Sequence, residues 1–198
     1  MNIRKHNHPP IILASASPRR KELFAKLGIP FTVEASEYEE DMSLKLTPRK
    51  LALVLSHGKA AAVAKKHDEG IVIGADTFVV LKNHLLGKPK NEDEAKKMLQ
   101  RQSGKSLDII TGFTIIDAAS GKMVQKTVVT TVCIKRLTSH EIDAYVASGE
   151  PMDKAGAFAI QGIGSVLIKH IEGDFLGAMG LPLYDLANTL KKFGVQVL

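Results

Sequence analysis

The sequence runs to 198 residues, with 27 Lys and Arg against 21 Asp and Glu, a net charge of +6 and a pI near 9.3. Its 44% apolar and 24% charged residues are those of a globular chain with a sizeable core, which excludes a disordered one. A single cysteine, Cys133, excludes an internal disulfide framework and a cysteine zinc site, and no apolar run reaches the ~18–20 residues of a membrane span.

Residues 1 to 10 read as a loose polar tail, and the rest, 11–198, as a single domain. The tail lacks the apolar region of a signal peptide, so a cytoplasmic protein is expected. Ile11 to Ala14 reads as a short buried strand. Ser17, Pro18 and Gly28 then supply an N-cap, a first-turn proline and a stop for a helix reaching about Leu27. Arg19 and Arg20 in its first turn oppose the helix dipole, at a cost of roughly 0.3–1 kcal/mol each. Serine hydroxyls, free N–H groups and two guanidinium groups at such a junction suit a phosphate. The plainer reading has the arginines solvated or paired with acids such as Glu22.

Residues 31 to 34 read as a second strand. Glu37-Tyr38-Glu39-Glu40-Asp41 follows, either a solvated acidic loop or a source of oxygen ligands for Mg²⁺ or Mn²⁺. Thr47 caps a long helix to about Lys66, buried through Leu51, Val54, Leu55 and Ala62, with Lys59 reading as a surface lysine. Residues 71 to 80 form a near-continuous apolar run of strand length, buried on both faces. Asp76 sits within it. An ionised carboxylate there needs a metal, a cation or hydrogen bonds; a hydrogen-bonded structural Asp at a strand end is the alternative. Gly74 and Ala75 leave room for something bulky to approach the backbone.

A hairpin turn and short return strand over 81–86 lead to Gly87-Lys88-Pro89. This is no Walker A loop, but it places Lys88 in a rigid frame close to Asp76 in sequence. A helix from Asn91 to Gln100 and long strands over 107–118 and 123–136 follow. Thr138 and Glu141 then open a helix to about Ala147 as a capping box. After an irregular loop over 149–156, a strand is expected at 165–171 and a last helix after Pro182. The pattern predicts an α/β fold on a mixed sheet. The seven histidines show no paired metal-ligand spacing. Positive charge calls for an anionic partner. With 5% aromatic residues and no Trp, a small, highly charged ligand fits better than nucleic acid.

Six stretches taken together resemble the Maf family. They are Ser15-Ala16-Ser17-Pro18-Arg19-Arg20, Gly74-Ala75-Asp76-Thr77, Gly87-Lys88-Pro89, Asp153-Lys154-Ala155-Gly156, Ile160-Gln161-Gly162 and Gly180-Leu181-Pro182-Leu183. The resemblance implies a nucleoside triphosphate pyrophosphatase, often a homodimer, that releases the monophosphate and pyrophosphate. It also implies an elongated mixed sheet flanked by helices, with a cleft between two lobes, akin to inosine triphosphate pyrophosphatase. By the same resemblance Asp76 is the general base, and Glu39 and Asp76 hold a divalent metal, Mg²⁺ or Mn²⁺. Ser15, Arg19, Lys59 and Lys88 gather the phosphates.

The family branch acting on methylated GTP typically has Trp or Tyr after Ser-Pro, Gln after the Asp, and Ser-Glu-Gly in the late loop. Arg19, Thr77 and Gln161 stand there instead, which resembles the branch acting on dTTP and UTP. An amide such as Gln161 also satisfies the donor and acceptor edge of thymine or uracil. One departure is Leu107-Asp108, after Ser103-Gly104, where family members often carry a His. The rival expectations are the same chemistry on 7-methyl-GTP or another modified nucleotide, and a non-enzymatic regulator of septum formation that binds nucleic acid or a partner protein.

Overall fold

The computed structural model describes residues 8–198, so most of the expected N-terminal tail lies outside the described residues. Within them the order is β1 (Ile11–Ala14), α1 (Pro18–Ala25), β2 (Thr32–Val33), α2 (Pro48–Ala64), β3 (Ile71–Leu81), β4 (His84–Leu86) and α3 (Glu92–Gln102). Then come β5 (Ser106–Asp117), β6 (Met123–Ile134), α4 (Ser139–Ala147), β7 (Ile168–Glu172), α5 (Phe175–Ala178) and α6 (Leu183–Leu190). Ser17, Thr47 and Asn91 each accept a hydrogen bond from the backbone three residues on, and Thr138 with Glu141 forms the full capping box. Lys82 and Asn83 both have positive φ, 49° and 66°, as a two-residue type I′ hairpin between β3 and β4 requires.

The sheet runs β2-β1-β3-β5-β6-β7, with β4 beside β3. β1 is parallel to β2 and β3 and the other pairs are antiparallel, which gives the mixed sheet expected from the sequence. β3, β5 and β6 are 11, 12 and 12 residues long, so the sheet is elongated, roughly 40 Å at ~3.4 Å per residue. On one edge β3 pairs with β1 through Ile71–Gly74 and with β4 through Val79–Leu81. Residues 75–78 face no strand on that edge, while β5 continues alongside on the other. Asp76 stands in this opening.

The core divides at the same place. At one end of β3, Ile73 packs with Phe24 of α1 and Leu186 of α6; at the other, Val79 packs with Leu99 of α3 and Tyr145 of α4. Between the two clusters Thr77 and Thr111 are hydrogen-bonded at 2.9 Å, and Thr111 donates to Gly177 O. A polar seam thus separates two apolar lobes. The opposite face of the sheet is covered by α2, through Ala60 and Val63 against Ile12, Val72 and Ile116.

Helix α2 lies unusually close to the sheet because two neighbouring strands carry glycine beneath it. A Cβ on Gly74 would sit 2.4 Å from Ser56 O and 2.7 Å from Ala60 N, and one on Gly112 would sit 2.6 Å from Ala52 O. The bulky object for which Gly74 leaves room is therefore the protein's own helix.

Two elements differ from expectation. The strand expected at 165–171 begins only at Ile168, because Gly162–Leu167 winds into 3₁₀ turns. Gly162 takes φ +74°, and the Glu150 carboxylate gathers the amides of Ile163 and Gly164, a pull the local sequence does not display. The short helix α5 has no counterpart among the expected elements; Asp174 caps it by accepting from Gly177 N at 2.8 Å.

Candidate active site

The end of β1 delivers Ser15, buried, into the opening beside β3. Its hydroxyl accepts from Ser17 N at 3.2 Å, and Ser17 in turn caps α1. The two arginines of the first turn then separate. Arg19 is exposed along the cleft, whereas Arg20 folds inward, its side chain only 13% exposed. Arg20 donates from Nε to Gly180 O at 3.0 Å and from a terminal nitrogen to Thr77 Oγ1 at 3.2 Å; that nitrogen lies 3.9 Å from Asp76 Oδ1. Burial pulls its guanidinium below the usual arginine value, while Asp76 and Glu40 act to raise it. Arg20 thus ties the start of α1 and the Gly180 turn to β3 beside the carboxylate.

Asp76 is 8% exposed. Its Oδ1 accepts from Lys59 Nζ at 3.0 Å, and Lys59 reaches Glu40 Oε1 at 2.8 Å as well. Asp76 Oδ2 is buried with no hydrogen-bond partner among the described residues. An unmet lone pair on a buried carboxylate costs at least about 1–3 kcal/mol, so this oxygen is available to a ligand. From its own stretch of sequence Lys59 reads as a surface lysine. Its side chain is 14% exposed, because Gly74 and Gly112 draw α2 onto the sheet over Asp76.

The acidic segment is fixed by an aromatic contact. Gly58 has no Cβ, and the Tyr38 ring occupies the place where one would lie, 2.3 Å away. Residues two apart in an extended segment share a side. Glu40 therefore turns with Tyr38 towards Lys59, and Glu39 turns to solvent. Glu39 is exposed and lines none of the cleft cavities, whereas Glu40 lines two of them. Gly58→Ala should hold or raise stability, alanine being better in a helix by about 1 kcal/mol, yet lower turnover by displacing Tyr38 and Glu40. Equal turnover in the variant, measured beside its melting temperature, would contradict this coupling.

The far wall comes from the other lobe. Gly87 O accepts from Gly156 N at 2.9 Å, and buried Gln102 donates to Gly156 O at 2.6 Å. These bonds bring Lys88 and Lys154 to the cleft together. The main cavity, about 880 Å³, is lined by Ser15, Arg19, Lys59, Lys88, Lys154 and Gln161 among others. An adjoining cavity of about 420 Å³ reaches Arg20, Asp76 and Thr77, and a smaller one of about 190 Å³ lies between Gln161, Ile160 and Met179. Of the residues expected from sequence, all but Glu39 line one of these spaces. Arg20, Glu40 and Lys154 join them. Leu107 and Asp108 do not, Leu107 being core and Asp108 accepting from its cross-strand neighbour Thr131 at 2.9 Å.

Five cationic side chains thus converge on a cleft whose floor holds a buried carboxylate, as suits a protein that handles a polyphosphate. A family profile described as Maf-like protein matches residues 10–193. The dTTP/UTP pyrophosphatase of Desulforamulus reducens is 47% identical over 188 residues, covering 95% of this chain and 98% of that protein. The dTTP/UTP pyrophosphatase of Methanosarcina barkeri is 50% identical over 188 residues, covering 94% and 95%. That of Bacillus cereus (strain ATCC 10987 / NRS 248) is 46% identical over 199 residues, covering 100% and 97%. The chain belongs to the Maf family. No helix among the described residues is long and apolar enough to cross a membrane.

Proposed function

We propose that the chain is a nucleoside triphosphate pyrophosphatase acting on dTTP and UTP, within one domain spanning 11–198. The observation that carries the mechanism is the buried Asp76, with Lys59 on one oxygen and none of the described residues on the other. Asp76 orients the attacking water and takes its proton as the bond between the α- and β-phosphates breaks. Lys59 and Arg20 hold the carboxylate in place. Arg19, Lys88 and Lys154 meet the negative charge that gathers on the departing pyrophosphate. Ser15 and the first-turn amides of α1 bind phosphate oxygens.

The residues present fit a divalent cation, Mg²⁺ or Mn²⁺. Among the described residues no cluster of three or more His, Cys, Asp and Glu side chains could hold a metal. The free Oδ2 of Asp76 and the carboxylate of Glu40, facing Lys59 from the other side, would supply two oxygen ligands and leave the remainder to substrate and water, as Mg²⁺ favours. Glu40, which lines the cleft and contacts Lys59, suits this role better than Glu39, which lines none of it. A cation held there would supply polarisation of the phosphate oxygens and offset their charge.

Base choice falls to Arg19, Thr77 and Gln161. In a panel of dTTP, UTP, CTP, dATP, GTP and 7-methyl-GTP, pyrophosphate release should favour dTTP and UTP by about tenfold or more in kcat/KM. Replacing residues 19, 77 and 161 should erode that preference. Equal rates across the panel, or a preference for 7-methyl-GTP, would overturn the pyrimidine assignment.

A further inference from the structure

Gln161 is an exposed residue on a glycine-flanked loop, a poor platform for reading a base unless its backbone is fixed. Glu150, eleven positions earlier in sequence, fixes it. Its Oε1 accepts from Tyr145 Oη at 2.9 Å and from Gly164 N at 2.8 Å, and its Oε2 accepts from Ile163 N at 2.9 Å. Tyr145, buried on α4 at 3% exposure, also accepts from Ala159 N at 3.1 Å. The backbone is therefore pinned two residues before Gln161 and again two and three residues after it.

The glycines around Gln161 match this clamp sterically. A Cβ on Gly162 would lie 2.3 Å from Glu150 Oε2, and one on Gly164 would lie 2.5 Å from both Tyr145 Oη and Ala159 O. The protonation states agree with the hydrogen bonds. Burial acts to raise the Glu150 carboxyl, but the donors Gly164, Ile163 and Tyr145 outweigh it and leave it below the usual glutamate value. Burial, with the Glu150 hydrogen bond, pushes the Tyr145 phenol well up, so it donates and the carboxylate accepts. Glu150 also lines the small cavity beside Gln161.

We propose that Glu150, anchored by Tyr145, is a positioning residue for base selection: it holds the 159–164 loop so that Gln161 meets the base edge in a fixed register. The inference rests on Gln161 as the base contact of a dTTP/UTP pyrophosphatase. A carboxylate is required because all three bonds are received, and an amide in its place presents one nitrogen that cannot accept them.

The test is the kcat/KM ratio of dTTP to CTP, which differ at the base edge, in Glu150→Gln, Tyr145→Phe and Gly162→Ala, with folding followed by circular dichroism. Glu150→Gln should lower the ratio about tenfold through a higher KM for dTTP, with kcat changed less than about threefold. Tyr145→Phe should move it the same way by less. Gly162→Ala presses on the clamp from the solvent side without touching the core, and so decides the matter if either other variant does not fold. An unchanged ratio in the folded variants, or a collapse of kcat at constant KM, would overturn the role of Glu150. A wild-type protein with no preference for dTTP over CTP would instead overturn the base reading on which it rests.

Discussion

Asp76→Asn should reduce pyrophosphate release by about 10²–10⁴-fold or more while leaving the fold in place. The amide keeps an oxygen for Lys59 but replaces the free Oδ2 with a donor and removes the charge. The substitution therefore deletes the proton acceptor and one proposed metal ligand together. Stability should change little for a definite reason. Lys59 keeps its 2.8 Å contact to Glu40, and Arg20 keeps Thr77 and Gly180, so neither cation is left alone in the seam. The native carboxylate also carries a buried oxygen unmet among the described residues, a cost that the neutral amide lightens. Thermal unfolding and turnover of the purified variant check both halves. Near-normal turnover would remove Asp76 from the chemistry.

Gly74→Ala should do the reverse, damaging the fold first and activity as a consequence. Its new methyl would lie 2.4 Å from Ser56 O and 2.7 Å from Ala60 N, both backbone atoms of α2, so no side-chain rotation relieves the clash. Overpacking of this kind costs about 1–3 kcal/mol, or more where backbone must move. For a chain of this size that lowers the melting temperature by roughly 3–10 °C. Moving α2 outward also draws Lys59 away from Asp76, so the folded fraction should turn over more slowly. Gly112→Ala, with Ala52 O at 2.6 Å, should behave alike. An unchanged melting temperature in either variant would mean that α2 does not rest on the sheet as described.

What the sequence made legible was whatever local chemistry writes locally. The caps at Ser17, Thr47, Asn91 and Thr138, the apolar run of β3 and the paired long strands follow from residues within a few positions of one another. The cleft residues became legible as a set through the family resemblance, since Lys59 alone reads as a surface lysine. The remainder was set by contacts between distant segments. Arg20 is distinguished from Arg19 only by Gly180 and Thr77, 160 and 57 residues away. That Glu40, not Glu39, meets Lys59 depends on a tyrosine ring finding a glycine on another helix. An aromatic two positions before one of the acids, together with that helical glycine, was the available signal. The late loop reads as a strand because its apolar residues favour one, and the Glu150 clamp overrides that preference.

The central claim is most directly tested by identifying the products of dTTP turnover in the presence of Mg²⁺ or Mn²⁺. Separation of the nucleotides alongside a phosphate assay should give dTMP and pyrophosphate in equal amounts, with chelation of the metal stopping both. Formation of dTDP and inorganic phosphate, or no turnover with either metal, would contradict it.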